Sequence, residues 1–245
     1  MKKLVSLSMC CFLLFSFWGC SQQTPQEAFN QALEKTNGLS DLHMVADVNM
    51  TLSAQGITMP VSVNVDSITK DAKSEKVQSK LDLKMSMLGM EMSGTMYTRD
   101  GYTYSNFLGE KAKSSMSDAD SYAYFNTELL DDFSSDQLND LTMKKGDNGT
   151  QVLTATLDYS VMEDYFSDSI DQFTGESSDL NIDMVDVTAT ISKNGYLESI
   201  VFSSDIALDQ SNTTNGNMKV EVKVIDPGKS VSIDFPSDLD SYPEI

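Results

Sequence analysis

Between residues 42 and 54 every even position is apolar (Leu42, Met44, Ala46, Val48, Met50, Leu52, Ala54), while the odd positions are polar apart from Val45. The same period of two runs through Ile57, Met59, Val61, Val63 and Val65, then Leu81, Leu83, Met85 and Met87, then Met90, Met92 and Met96. A strand points successive side chains to opposite faces, so each segment predicts a strand with one dry and one wet face. Short turns such as Ala54-Gln55-Gly56 and Leu88-Gly89 separate some of them. The strands therefore form an antiparallel meander, since parallel pairing would need intervening helices. A further strand at 102–108 follows the turn Arg99-Asp100-Gly101.

Three stretches change the period to 3.6. Thr24-Pro25-Gln26-Glu27 is a capping box, and Ala28, Phe29, Ala32 and Leu33 form one apolar stripe before Gly38. Within 114–141, Tyr122, Phe125, Leu129 and Phe133 recur at helical spacing and predict an acidic amphipathic helix. Ser160-Val161-Met162-Glu163 is a second capping box, and Met162, Tyr165, Phe166, Ile170 and Phe173 line one face before Gly175. The acidic, Ser-rich residues 167–179 read as an exposed connection. Between these helices lies a hairpin about Asp147-Asn148-Gly149, with Leu153, Ala155 and Leu157 on one face. Strands are predicted again at 182–192, 197–208, 218–225 and 231–235, with Lys193-Asn194-Gly195 as a turn and a polar loop running through Gly216.

The fold class is mainly β (α+β): a single antiparallel, strongly curved sheet of about eleven strands with about three short helices over its concave face. A sheet that size curls, and an open one leaves a bare apolar face that must be covered. An open half-barrel gives the helices that role. A two-sheet sandwich would explain the alternation but not the helices. No repeat and no long linker divides residues 24–245, so one domain is expected.

The first residues are of another kind. Met1-Lys2-Lys3 is a short basic start, and residues 4–18 carry no charge. Fifteen such residues are fewer than the roughly 20 needed to span a bilayer, so a signal peptide over 1–19 is the better reading. Its end, Phe17-Trp18-Gly19-Cys20, resembles a bacterial lipobox. The resemblance implies that Cys20 receives a diacylglyceryl group and becomes the first residue of the mature chain, anchored on the extracytoplasmic face of a cell membrane. Leu and a small residue are usual where Phe17 and Trp18 stand. Residues 20–23 then make a short tether, with only Ser21 to Gln23 between the anchor and the first helix, a reach of roughly 10–14 Å. Two acyl chains, at ~0.8 kcal/mol per buried methylene, anchor a protein stably.

Composition narrows the function. The chain has 17 Lys+Arg against 37 Asp+Glu, a formal charge of -20. Removing 1–19 takes away two Lys and no acid, leaving (17 - 2) - 37 = -22. That sign excludes nucleic-acid binding and a basic membrane-surface helix. All three cysteines, Cys10, Cys11 and Cys20, lie at or before the anchor, so the mature domain has no disulfide, zinc site or cysteine nucleophile. The arrangement of anchor, N-terminal helix, meandering strands and mid-chain helices resembles the lipoprotein-carrier (LolA/LolB-like) half-barrel class, and more particularly lipoproteins of Gram-positive bacteria. The segments carrying the resemblance are 29–38, the Met-alternating 81–97, and 102–113. It implies a concave groove that holds acyl chains. The carriers use an Arg in that groove against their lid, and no local motif assigns that role to Arg99, the only arginine.

The predicted groove lining is Met44, Met50, Val61, Val63, Leu83, Met85, Met87, Met90, Met92, Met96, Phe125, Met162 and Phe166. Thioethers are flexible and polarizable, which suits a surface that fits varied apolar shapes. The same methionines would also serve as core filler, and soft thioethers at Met-x-Met spacing are Cu(I) ligands in type, although strand alternation alone also produces that spacing. Other candidate chemistry is sparse. His43 has no nucleophile motif beside it, paired carboxylates such as Asp131-Asp132 are too common to mark a site, and Asp118-Ala119-Asp120 lacks the later ligands of a calcium loop. Tyr97, Tyr102, Tyr104, Tyr122, Tyr124 and Phe125 suit either the rim of a binding site or ordinary strand packing. The expectation is a monomeric, non-enzymatic binder of an apolar, acyl-chain-like ligand, with no cofactor and no metal. The alternative is an envelope interaction protein with a filled core.

Overall fold

The computed structural model describes residues 23–54, 57–116, 134–158, 160, 184–207 and 214–245. The chain enters through helix α1 (Pro25–Asn37), whose first turn is fixed by the expected capping box. The Glu27 amide donates to Thr24 Oγ1 at 3.2 Å, and the Thr24 amide donates to the Glu27 carboxylate at 2.9 Å. Gly38 ends the helix.

Eleven strands follow among the described residues: β1 (Leu42–Ala54), β2 (Ile57–Lys70), β3 (Gln78–Met87), β4 (Met90–Arg99), β5 (Tyr102–Phe107), β6 (Glu110–Ser115), β7 (Leu138–Lys145), β8 (Gln151–Asp158), β9 (Met184–Ile191), β10 (Leu197–Ala207) and β11 (Thr214–Val224). They form one antiparallel sheet in the order β6-β5-β4-β3-β2-β1-β11-β10-β9-β8-β7. β1 through β6 are one meander and β7 through β11 another, and pairing of the first strand with the last joins them, with Met44 opposite Val224 and Val48 opposite Val220. The sheet is open, with β6 and β7 as its edges, and is the mainly β, half-barrel architecture that the alternation predicts.

Membership of the sheet departs from expectation in several places. β6 (EKAKSS) is polar but for Ala112 and is recruited by the tight turn at Leu108-Gly109, not by a dry face. Residues 231–235, read as a strand, are not one. β11 also begins at Thr214, inside the stretch expected to be loop. The apolar stripes of the helices expected within 114–141 and 160–175 lie outside the described residues. At the margins of the first, residues 110–115 and Leu138–Lys145 are strand.

The filled core lies between α1 and strands β7–β11. Ala28, Phe29, Ala32 and Leu33 pack on Leu153, Leu157, Val185, Val187, Ile200, Phe202, Val220 and Val222. Phe29 is fully buried, and the space between it and Leu138, Leu141, Leu153, Ala155, Val187 and Ala189 has no room for a water. Burying one such side chain contributes roughly 1.5–3 kcal/mol. The far end of α1 is pinned by Thr36. Its hydroxyl donates to the Ala32 carbonyl at 2.7 Å and accepts from the Leu197 amide at 2.9 Å.

Residues 225–245 recross the wet face. Phe235, Leu239 and Tyr242 lie against Tyr97, Tyr102 and Tyr104 and make a second small core. The tail ends beside β6, where the Lys113 amide donates to the Pro243 carbonyl at 2.7 Å and the Ile245 amide donates to the Lys113 carbonyl at 3.0 Å. A polar edge strand is thus partly paired by the chain's own terminus.

Candidate functional site

The dry face continues beyond the filled core. Cross-strand partners share a face, so register places the predicted residues in rows. Met218, Met50, Val61, Met87 and Met90 form one row across five strands. Val220, Val48, Val63, Met85 and Met92 form the next. Val222, Ala46, Val65, Leu83 and Gly94 make a third, and Met44, Ser67, Leu81 and Met96 a fourth. Met44 and Met50 pack against the α1 core, which fixes all four rows on the face that α1 covers.

Burial is unequal along these rows. The residues on β11 are buried, as is Val65 on β2, whereas Val61, Val63, Leu83, Met85, Met87 and Met96 are half-buried, and Met90 and Met92 are 59% and 42% exposed. The apolar face therefore grades from a solid core under α1 to a methionine-rich surface over β2–β4. Of the predicted lining, Phe125, Met162 and Phe166, like Cys20, lie outside the described residues. Phe107 was missed by the sequence reasoning. It pairs with Gly94, and its ring lies so close over that glycine that a Cβ there would sit 2.0 Å from the ring. A glycine inside an alternating strand was the signal, because it marks close approach of another group.

The ordered charges described here sit on the opposite, wet face. His43 bonds Asp66 on the neighbouring strand at 2.9 Å, Asn64 donates to Asp47 at 2.7 Å, and Thr95 donates to Asp82 at 2.8 Å. A hydrogen bond to Asp82 raises the Lys80 pKa above the ordinary lysine value. Glu221 is held below the usual carboxylate range by hydrogen bonds from Lys223 and Lys219. Arg99 is on this face too, 2.9 Å from Asp240 and stacked over Phe235. Tyr97 and Tyr104 are buried beneath the tail, so they pack the sheet and do not rim its dry face. What the dry face offers a ligand is apolar contact and methionine flexibility.

Several solved structures are similar to this chain. LprF from Mycobacterium bovis is 16% identical with a TM-score of 0.49, over 86% of this chain and 96% of that one. The lipoprotein LppX of Mycobacterium tuberculosis is 13% identical with a TM-score of 0.41, over 86% and 98%. A LolA superfamily protein from Nitrosomonas europaea is 11% identical with a TM-score of 0.23, over 88% and 96%. No protein-family model and no curated protein matches the chain.

Proposed function

We propose that the protein is a lipoprotein held by Cys20 on the extracytoplasmic face of a cell membrane, where a single domain, residues 24–245, binds an apolar, acyl-chain-like ligand on its dry face and performs no catalysis. In this reading residues 1–19 are removed, residues 20–23 are the tether, and the domain works as a monomer. The observation that carries the proposal is the gradient just described. The same apolar face that is solid under α1 continues across β2–β4 as half-buried valine, leucine and methionine, well beyond what α1 can cover. α1 runs from Ala155 and Val187 toward the start of β10, so it covers the strands by its width, about 10–12 Å, whereas strands ~4.8 Å apart place β4 four strand spacings from β11. Methionine suits the extension because its unbranched thioether refits to differently shaped chains.

Uptake of a fluorescent acyl probe by the purified protein, together with lipid extraction and native mass spectrometry, tests the reading. Met85→Leu, Met87→Leu and Met92→Leu combined preserve volume, and such swaps usually cost less than about 1.5 kcal/mol each. The variant is expected to fold as the parent does while its probe affinity or chain-length selectivity changes. Empty protein that takes up no probe, before or after substitution, would favour the alternative of an envelope interaction protein whose core needs no ligand.

A further inference from the structure

Among the described residues five tight turns of this sheet end in glycine, and in these the residue before that glycine depends on which end of the sheet the turn occupies. In four of them, Leu88-Gly89, Asp100-Gly101, Leu108-Gly109 and Asn148-Gly149, both residues have positive φ. Lys193-Asn194-Gly195 is the fifth, between β9 and β10. Asp100, Asn148 and Asn194 stand at one end of the sheet. Leu88 and Leu108 stand at the other, beyond the pairs Met87 with Met90 and Phe107 with Glu110.

Asn and Asp tolerate the left-handed conformation because their short side chains bond locally, and they dominate such turns. Leucine gains nothing there. Leu88 and Leu108 each take φ of 53° and are 58% and 72% exposed, so both the backbone and the side chain are in unfavourable states. Ile57, Met90 and Met92 add further exposed apolar surface at the same end. The far end shows that this chain can build the same turn with polar residues.

The direction of α1 supplies the occupant. Phe29 packs on Ala155 and Val187, whereas Thr36 binds Leu197 at the far end of β10. The helix therefore starts toward the leucine end, which is the end the tether from Cys20 reaches first. We infer that the rim formed by Ile57, Leu88, Met90 and Leu108 rests in the surface of a lipid bilayer and turns the methionine-rich end of the dry face toward the membrane. Exposed Glu91 and Glu110 flank it, so the contact is apolar, and zwitterionic lipid suffices. The inference rests on the reading of Cys20 as a lipid anchor.

Trp18 is the only tryptophan and lies within residues 1–19, so the mature, Cys20-lipidated protein has none and a single introduced tryptophan reports its own surroundings. The chain would be reconstituted on phosphatidylcholine vesicles containing brominated lipid, with flotation measured alongside. Leu88→Trp and Leu108→Trp are expected to emit to the blue and be quenched, whereas Ile225→Trp, at the far end, stays unquenched. With Ile57→Trp as reporter, Leu88→Asn plus Leu108→Asn should raise the melting temperature while relieving the quenching, an outcome that misfolding cannot imitate. Protein that floats with its rim no more quenched than Ile225→Trp would overturn the inference and leave the anchor standing. Protein that does not float overturns both, and a blue shift without quenching that grows with protein concentration would assign the rim to a second copy instead.

Discussion

Gly94 and Phe107 act as one side chain divided between two strands. The ring of Phe107 fills the place above β4 that a Cβ at position 94 would occupy. Gly94→Ala is expected to destabilise the fold by about 1–3 kcal/mol, the usual cost of overpacking, measured by denaturant unfolding. With Phe107→Ser in the background the same change should be neutral or stabilising, because alanine is favoured over glycine in a strand by roughly 0.5–1 kcal/mol. The sign reversal in a double-mutant cycle is the check. Thr36 is a second position where one atom does two things. Thr36→Val keeps the shape but leaves the Leu197 amide buried without its acceptor, at an expected cost of about 1–3 kcal/mol. Thr36→Ser retains the hydroxyl and should lose much less, which a pair of urea midpoints would show.

Among the elements, the C-terminal strap answers most directly to pH. Lys111 and Asp238 form an ion pair, and Lys111 lies 4.9 Å over the Tyr242 ring. The hydrogen bond lowers the Asp238 pKa and raises that of Lys111. A lowered carboxylate stabilises the folded state above its ordinary range, and that contribution is lost as pH falls through the lowered value. The raised lysine contributes below its ordinary range and is lost only in strong alkali. The strap is therefore expected to loosen in acid before the strands do, seen as faster amide exchange at Lys113 and Ile245 than at residues of β10. This element also shows what the sequence hid. Phe235, Leu239 and Tyr242 were misleading in pattern, Phe235 closing an alternating 231–235 and all three standing at helical spacing, because a strap packs side chains wherever the tyrosines beneath leave space. Tyr97 and Tyr104 were visible, but they fall on the wet phase of their strands, and that phase was the clue that something covers them. β6 was hidden for the opposite reason, since a polar edge strand is held by backbone pairing and a turn.

For the whole molecule, the alternation along β1–β4 disclosed both the fold and the candidate face, because a period of two reports burial on one side directly. It could not disclose that the buried side is full under α1 and only half-covered over β2–β4, since a core valine and a lining valine alternate alike. Nor could it place Leu88 and Leu108 together, which takes the strand register. The arrangement has one more consequence. Met44 and Val224 are partners across the middle of the sheet although nearly the whole chain separates them. Such long-range closure is slow. Neither half can shelter its central rows until β11 has arrived, so the two meanders are stitched along a single late seam, and everything made before it must wait with its oily interior unsewn.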